Sequence, residues 1–240
     1  MLNPFLSEIS LFAFNFAPVN WAACDGRQLM IRDNEPLFTL LGYRFGGDGA
    51  GTYSLPDYRA LGPQGLQYCI AVQAAYPSAD GHSRDQAPSE IALLPVTFTP
   101  GGWAECNGQT LPVSQCPALY NVIGSTFGGD GQQSFGTPNL TPRAPAGSRY
   151  FIATDGDVPL PPNPFVGEVR LFPTTTTPDG WLPCDGRRIG VDQYEALFTL
   201  IGTTFARPGD TFPIPDLRQI AVPAGTQFCI ATGGYFPQRP

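Results

Sequence analysis

The chain repeats one unit three times, and this repetition limits its possible folds more than any other feature. The pattern Trp-x-x-Cys-Asp/Asn-Gly occurs three times, beginning at Trp21, Trp103 and Trp181. Each tryptophan is preceded by a glutamate and followed by a phenylalanine at constant spacing: Glu8, Glu90, Glu168, Phe45, Phe127 and Phe205. Self-similarity at a fixed period is typical of one structural unit in several copies. We therefore expect three units with one fold, whose tryptophans are equivalent and mostly buried.

The copies are separated by segments with the composition of linkers. Residues 78–88 are polar, and residues 157–166 are rich in proline, which favours an extended, stiff spacer. The chain is therefore predicted to contain three repeats, at residues 1–77, 89–156 and 167–240. Units of this length bury small cores, so we expect neighbouring units to pack on one another. They can do so around a common axis or end to end as a rod.

Glycine and proline decide the fold class. They number 28 and 27 of the 240 residues, and they are the two least favourable residues in a helix, which excludes all-helical folds. Apolar and polar residues alternate at 8–13 and 168–172, as in strands, and the Cys-Asp-Gly and Cys-Asn-Gly triplets predict hairpin turns. A short helix is expected from Asp192 to Gly202 and at the equivalent places. The prediction is an α+β fold, mostly β and irregular, with short strands or hairpins and one short helix per repeat.

The charged residues exclude several kinds of chemistry. All 13 basic residues are arginine, so Schiff-base chemistry and a P-loop lysine are impossible. The one histidine, His82, lies in the first linker and is interpreted as a solvated residue. A net charge of −7 without a basic cluster argues against nucleic acid and anionic membranes as partners. No apolar stretch is long enough to span a membrane, and no signal peptide is recognised at the start of the chain.

Several polar groups have both a structural and a functional interpretation. Asp48 and Asp130 lie in Gly-Gly-Asp-Gly loops, where each supplies one carboxylate, whereas a calcium site needs six to eight oxygens. We interpret these segments as plain loops and predict no metal site and no cofactor. The pairs Asp57/Arg59 and Asp216/Arg218 are interpreted as structural ion pairs, and the repeated tryptophans as core residues rather than sugar-stacking platforms. Asn139 and Arg143 hold the corresponding places in the second repeat.

The six cysteines follow the repeat in a way that suggests pairing. The first and third repeats each have two cysteines at matching positions, whereas the second has Phe151 at the later of these positions and an additional cysteine at 116. The predicted disulfides are Cys24–Cys69, Cys184–Cys229 and Cys106–Cys116. The alternative is a set of buried free thiols. Disulfides would indicate an oxidising, extracellular setting.

The combined motifs resemble a known family. The first repeat reads Glu-Ile-x-Leu-Phe-Ala, Pro-x-x-Trp-x-x-Cys-Asp-Gly-Arg, Leu-Phe-x-Leu-Leu-Gly, Phe-Gly-Gly-Asp-Gly, Leu-Pro-Asp-x-Arg and Tyr-Cys-Ile-Ala. This combination looks like the phage tail collar domain, which is found in phage short tail fibres and in microcystin-dependent bacterial proteins. The resemblance implies a fibre or appendage component, often trimeric, and not an enzyme. The usual member has one such domain, and this chain has three.

Two functional hypotheses follow from the resemblance. The first is a structural, self-assembling subunit of an extracellular fibre or a phage-tail-like appendage, which forms homo-oligomers or homopolymers and also contacts other fibre proteins. The alternative is a tail-fibre or adhesin tip that binds a receptor or a cell-surface glycan. The expected location is an extracellular appendage or the virion tail.

The chain ends are the predicted assembly contacts. Leu2, Phe5 and Leu6 precede the first predicted strand, and Tyr235 and Phe236 lie close to the C-terminus. Exposed apolar termini favour association, for example by lending a strand to an open sheet edge. We therefore expect these residues to contact another subunit, the alternative being that both termini pack on their own chain.

Overall fold

Three copies of one β-rich unit make up the chain. The computed structural model describes residues 4–63, 65–80, 86–156, 164–174, 176–202, 204–205, 209–220 and 222–239. Leu2, His82 and most of the second linker lie outside these ranges. We refer to residues 1–77, 89–156 and 167–240 as repeats 1, 2 and 3.

Each repeat has the same order of elements: three strands, one helix of two turns, and two strands. Repeat 1 contains β1 (Ile9–Phe12), β2 (Trp21–Ala23), β3 (Gln28–Met30), α1 (Glu35–Leu41), β4 (Thr52–Ser54) and β5 (Gln67–Ala71). Repeat 2 contains β6 (Ile91–Leu94), β7 (Trp103–Glu105), β8 (Thr110–Pro112), α2 (Pro117–Ile123), β9 (Ser134–Gly136) and β10 (Arg149–Ala153). Repeat 3 contains β11 (Glu168–Phe172), β12 (Trp181–Pro183), β13 (Arg188–Gly190), α3 (Glu195–Ile201), β14 (Thr211–Pro213) and β15 (Gln227–Ala231). The predicted fold class is confirmed.

The strands of one repeat form two separate antiparallel ladders. In repeat 1, β5 pairs with both β1 and β2, while β3 pairs with β4. The Cys-Asp-Gly turn therefore connects two different sheets, and its prediction as a hairpin turn is wrong. Asp25 instead forms an isolated bridge with Asp57, and the Gly26 N–H donates to the Pro56 carbonyl. These long-range hydrogen bonds take the place of a local strand pair.

The helices end at the predicted glycines, but they begin later in the sequence than predicted. Each of the three is followed by a glycine with positive φ, as at Gly202, where φ is 48° and the N–H donates to the Phe198 carbonyl. Glycine is favoured there because the backbone is left-handed. The helix in repeat 3 begins at Glu195 rather than near Asp192, and its N-cap Tyr194 makes no side-chain capping bond. The predicted capping box is therefore not formed.

The first strands of the three repeats meet at the centre of the molecule. β1 lies between β6 and β11, which joins all three repeats into one nine-stranded sheet within the described residues. Ile9 pairs with Leu93 of repeat 2, and Leu11 pairs with Val169 of repeat 3. In both pairs, the first of two alternating apolar residues in one strand (Ile9 or Val169) lies opposite the second in another strand (Leu93 or Leu11). The repeats are therefore related by a pseudo-threefold axis, and the end-to-end rod is wrong.

A phenylalanine from each repeat packs on a glycine of another repeat. A Cβ atom at Gly147 would lie 2.7 Å from the Phe45 ring, and one at Gly65 would lie 2.7 Å from the Phe205 ring. At Gly225 the corresponding distances are 2.6 Å to Thr126 and 3.6 Å to the Phe127 ring. These contacts join repeat 1 to repeat 2, repeat 2 to repeat 3, and repeat 3 to repeat 1. The chain therefore closes into a ring.

The C-terminal segment completes this ring. The Ser78 carbonyl, directly after the end of repeat 1, accepts from the Gly101 N–H of repeat 2 at 2.9 Å. The Gln238 carbonyl, at the end of repeat 3, accepts in the same way from the Val19 N–H of repeat 1 at 3.1 Å. The third repeat thus docks on the first through the same contact, although no linker joins them.

Candidate functional site

The repeated tryptophans are core residues in all three repeats. Trp21, Trp103 and Trp181 are 7%, 6% and 6% exposed. Each has an edge-on aromatic neighbour: Phe12 for Trp21, Phe172 for Trp181, and Phe5 for Trp103, with ring centroids between 5.0 and 5.5 Å apart. Their burial leaves no exposed face for a sugar ring.

The predicted disulfides are wrong, because all six cysteines are free and buried. Cys69 lies opposite Ala23 in the ladder, and Cys24 is the next residue along the chain. Successive residues of a strand project from opposite faces, so the two thiols point apart. Cys24 packs in the cluster around the α1 helix, whereas Cys69 packs beside Trp21.

The other four cysteines also form no disulfide bond. Cys184 and Cys229 also lie in different apolar clusters, on either side of the sheet of repeat 3. Cys106 and Cys116 lie in one cluster as free thiols. The argument for an oxidising setting that rested on these disulfides is therefore lost.

We expect these thiols to be unreactive in the folded protein. Burial raises the pKa of Cys69 and of Cys229 to about 12, which removes the reactive thiolate at neutral pH. A thiol reagent such as DTNB should therefore label the native protein negligibly and should label six thiols per chain after denaturation without reductant. A smaller number that rises to six after prior reduction would show disulfides and contradict this structure.

The Gly-Gly-Asp-Gly loops use their carboxylates to hold their own backbone. Asp48 Oδ1 accepts from the N–H groups of Ala50, Gly51 and Thr52 at 2.8–2.9 Å. Asp130 accepts three equivalent bonds, and these lower its pKa to about 2. Within the described ranges no group of three or more histidine, cysteine, aspartate or glutamate side chains is placed to hold a metal.

The aspartate–arginine pairs are exposed ion pairs between near neighbours in sequence. Asp57 and Arg59 are 2.6 Å apart, as are Asp216 and Arg218. The arginine lowers the pKa of each aspartate mainly through its side-chain hydrogen bonds. In repeat 2, the Asn139 side chain accepts from the Thr141 N–H instead. The loop-brace interpretation fits these contacts.

A buried polar cluster lies at the pseudo-threefold axis, and its role was not visible in the sequence. The repeated glutamates Glu8, Glu90 and Glu168 are 5%, 6% and 1% exposed. Arg170 reaches Glu168 at 2.6 Å and Glu90 at 3.8 Å. We call these four residues the axial cluster. The glutamates belong to the repeat pattern, but their convergence on one arginine depends on the packing of all three repeats.

Two of the glutamates also hold the segment that leads into the first strand of their repeat. Glu8 Oε2 accepts from the Phe5 N–H at 2.9 Å, and Glu168 Oε2 accepts from the Phe165 N–H at 3.0 Å. Phe5 and Phe165 in turn form parallel bridges with Ala75 and Tyr235, which lie near the ends of repeats 1 and 3. In these two repeats, the carboxylate therefore holds a segment that is itself paired with the end of the repeat.

The predicted assembly contacts divide into two groups. Phe5 and Leu6 are 0% and 4% exposed and belong to an apolar cluster that repeats 1 and 2 of the same chain share, so their prediction as contacts with another subunit is wrong. Phe5 is buried because its backbone bridges to Ala75 and its ring packs on Trp103. The C-terminal aromatics remain at the surface: Tyr235 is 42% and Phe236 50% exposed.

A cavity adjoins these two aromatics. It has a volume of about 300 Å³ and is lined by residues from both ends of the chain, including Pro4, Val19, Phe165, Tyr235, Phe236 and Gln238. Val19 is itself 44% exposed. We call Val19, Tyr235 and Phe236 the terminal patch. Among the described residues no helix is long and apolar enough to cross a membrane.

Comparison with known proteins agrees with the repeat pattern. The model of the phage tail collar domain matches the chain three times, at residues 7–63, 89–145 and 167–222. Searches of curated proteins and of solved structures each found no significant match. The three matches cover more than half of the chain and coincide with the three structural repeats. The chain therefore belongs to the phage tail collar domain family, a structural family of phage tail fibres rather than a family of enzymes.

Proposed function

We propose that this protein is a structural, self-assembling subunit of a phage tail or of an extracellular, tail-like appendage. The closed ring of three repeats is the main support. It places three collar domains around one axis within a single chain, where family members with one domain would need three chains. The ring is then complete within one chain, and assembly into a fibre needs only contacts between the surfaces of different chains.

The terminal patch is the surface that best fits a second copy of this chain. Tyr235 and Phe236 are exposed beside the cavity, and aromatic residues at the rim of a pocket are typical of protein–protein contacts. The equivalent contact between repeats 1 and 2 has Ala75 and Gly101 at the positions of Tyr235 and Val19, so the patch has no full counterpart there. A contact between this patch and a different surface of the next copy would give an open filament.

The double variant Y235S/F236S tests this proposal. We expect the wild-type protein to form polymers that are visible by light scattering and negative-stain microscopy, and the variant to remain monodisperse with an unchanged thermal unfolding temperature. Tyr235 keeps its backbone bridge to Phe165, so the fold does not depend on the phenol ring. The control is M30S/L61S, which changes two residues that are 47% and 53% exposed outside the patch. Wild-type protein that stays monomeric at high concentration, or a variant that polymerises normally, would contradict the proposal.

The alternative role of receptor-binding tip uses the same surface. The cavity combines exposed aromatic rings with the amide side chains of Asn20, Gln73 and Gln238, a mixture that suits a polar ligand with apolar faces, such as a glycan. A tip protein should stay monodisperse and bind cells, and Y235S/F236S should abolish the binding. Polymers of the wild-type protein without binding to cells would favour the structural role.

A further inference from the structure

A second cavity lies at the interface between repeats 3 and 1, away from the terminal patch. It has a volume of about 360 Å³ and is lined by residues of both repeats, including Pro63, Leu66, Phe205, Pro213, Pro215 and Asp216. Leu66 directly precedes β5, whereas Gln73, which lines the cavity beside the patch, follows this strand. The two cavities therefore lie at opposite ends of a strand of five residues, about 17 Å apart. We call the second one the interface cavity.

Repeat 3 has smaller side chains at this interface than repeat 1 has at the equivalent one. Thr204 and Leu217 line the interface cavity, and repeat 1 has Arg44 and Tyr58 at these two positions. The Arg44 Nη1 group reaches across to repeat 2, where it donates to the Gly147 carbonyl at 3.2 Å. At the interface between repeats 1 and 2, the ring therefore supplies an arginine of its own.

The interface cavity also has a carboxylate in its wall. Asp216 lines the cavity, whereas repeat 2 has the uncharged Asn139 at this position and Thr126 at the position of Thr204. Arg218 donates three hydrogen bonds to Asp216, but a carboxylate has about four acceptor sites, so a further N–H group can bind. The interface between repeats 3 and 1 thus combines a small residue at the place of an arginine with a carboxylate, and neither of the other interfaces has both.

The segment that follows β15 carries groups that fit this cavity. Phe236 is 50% exposed, and Arg239 lies three residues further along the chain. Arg239 is also exposed: its guanidinium lies over the Phe16 ring, 4.8 Å from the centroid, and no carboxylate of the described residues forms an ion pair with it. A cavity of about 150 Å³ accepts one benzene ring, so the interface cavity has room for a phenylalanine ring and the end of an arginine side chain.

We propose that the interface cavity binds residues 236–239 of a second copy of this chain, with Phe236 against the prolines and Arg239 beside Asp216. The charges of Arg239 and Asp216 are complementary. Phe236 lies at the other end of β5 from the interface cavity of its own copy, so the contact joins different copies. Such a contact is heterologous and produces an open filament. The inference rests on the proposed function, because it names the surface to which the terminal patch binds.

Reversing the two charges tests this contact. We expect D216R and R239D each to raise the protein concentration needed for polymers by about tenfold or more, because each change brings two like charges together. An equimolar mixture of D216R and R239D should polymerise again, since every contact of an alternating filament then joins an aspartate to an arginine. The matched control is D57R, because Asp57 has the same exposed ion pair with Arg59 at 2.6 Å in repeat 1. D57R should polymerise like the wild-type protein.

The outcomes separate this inference from the proposed function. Light scattering measures the polymers, and an unchanged Tm shows that each variant keeps its fold. If the wild-type protein polymerises and D216R does so as readily as D57R, or if the mixture of D216R and R239D stays monomeric, the interface cavity is not the binding surface, while self-assembly stands. Wild-type protein that stays monomeric contradicts both. If D216R does not fold, D216N, which copies Asn139 of repeat 2, should weaken assembly in the same direction, and unchanged assembly of D216N would overturn the inference.

Discussion

We expect the variant G147A to lose about 3 kcal/mol of the free energy of unfolding, because the new methyl group meets both strain and a neighbouring repeat. Gly147 has a φ of 81°, a conformation that other residues rarely adopt. A Cβ atom there would lie 2.7 Å from the Phe45 ring and 3.1 Å from Arg44, so the contact between repeats 1 and 2 must open. Urea denaturation followed by circular dichroism measures the loss.

Gly49 provides the matched control for this prediction. Its φ is 74°, but a Cβ atom there would have no neighbour within 4 Å. G49A should therefore cost only the backbone strain, about 1 kcal/mol. The difference between the two variants isolates the contact between repeats. If G147A and G49A cost the same, Phe45 does not pack on Gly147 as described, and the ring contact is wrong.

Shortening any one of the three axial leucines should cost about 3 kcal/mol. Leu11, Leu93 and Leu171 are each 5% exposed and line the same small cavity on the pseudo-threefold axis. The variants L11A, L93A and L171A each enlarge this cavity, whose walls belong to all three repeats and cannot collapse independently. Denaturant midpoints of the three variants should agree closely, because their environments are equivalent.

One double variant and one substitution of a surface leucine serve as controls for this prediction. L11A/L93A should deviate from the sum of its single variants, because both side chains border one cavity. Leu61 is 53% exposed, and L61A should change the free energy of unfolding by less than about 0.5 kcal/mol. One axial leucine that tolerates alanine as well as Leu61 does would show that the three repeats do not share an axis.

Features that depend on neighbours along the chain were predictable. The helix-ending glycines and the aspartate–arginine ion pairs follow from short motifs, since each motif contains most of the partners it needs. Asp57 is an example, because the Arg59 side chain that donates to it lies two residues further along the chain.

Features that depend on the arrangement of the strands were not predictable. The Asp-Gly turn was expected to close a hairpin, but β2 pairs with β5, which lies at the far end of the repeat. The cysteine pattern suggested bonds, but residue spacing does not tell which face of a sheet a side chain occupies. Phe5 and Leu6 were expected to contact another subunit, yet Phe5 bridges to Ala75, and both residues lie in the apolar cluster that repeats 1 and 2 share.

The sequence by itself determined the number of repeats and their fold class, because each repeat carries the same local pattern of apolar residues, glycines and prolines. Only the tertiary structure decided that the repeats close into a ring, that the cysteines stay apart, and that Arg170 pairs with glutamates of two repeats. The physical reason is that these outcomes depend on contacts between residues of different repeats, such as Glu90 with Arg170 and Leu11 with Val169. Such contacts form only after the strands of all three repeats have found a common axis.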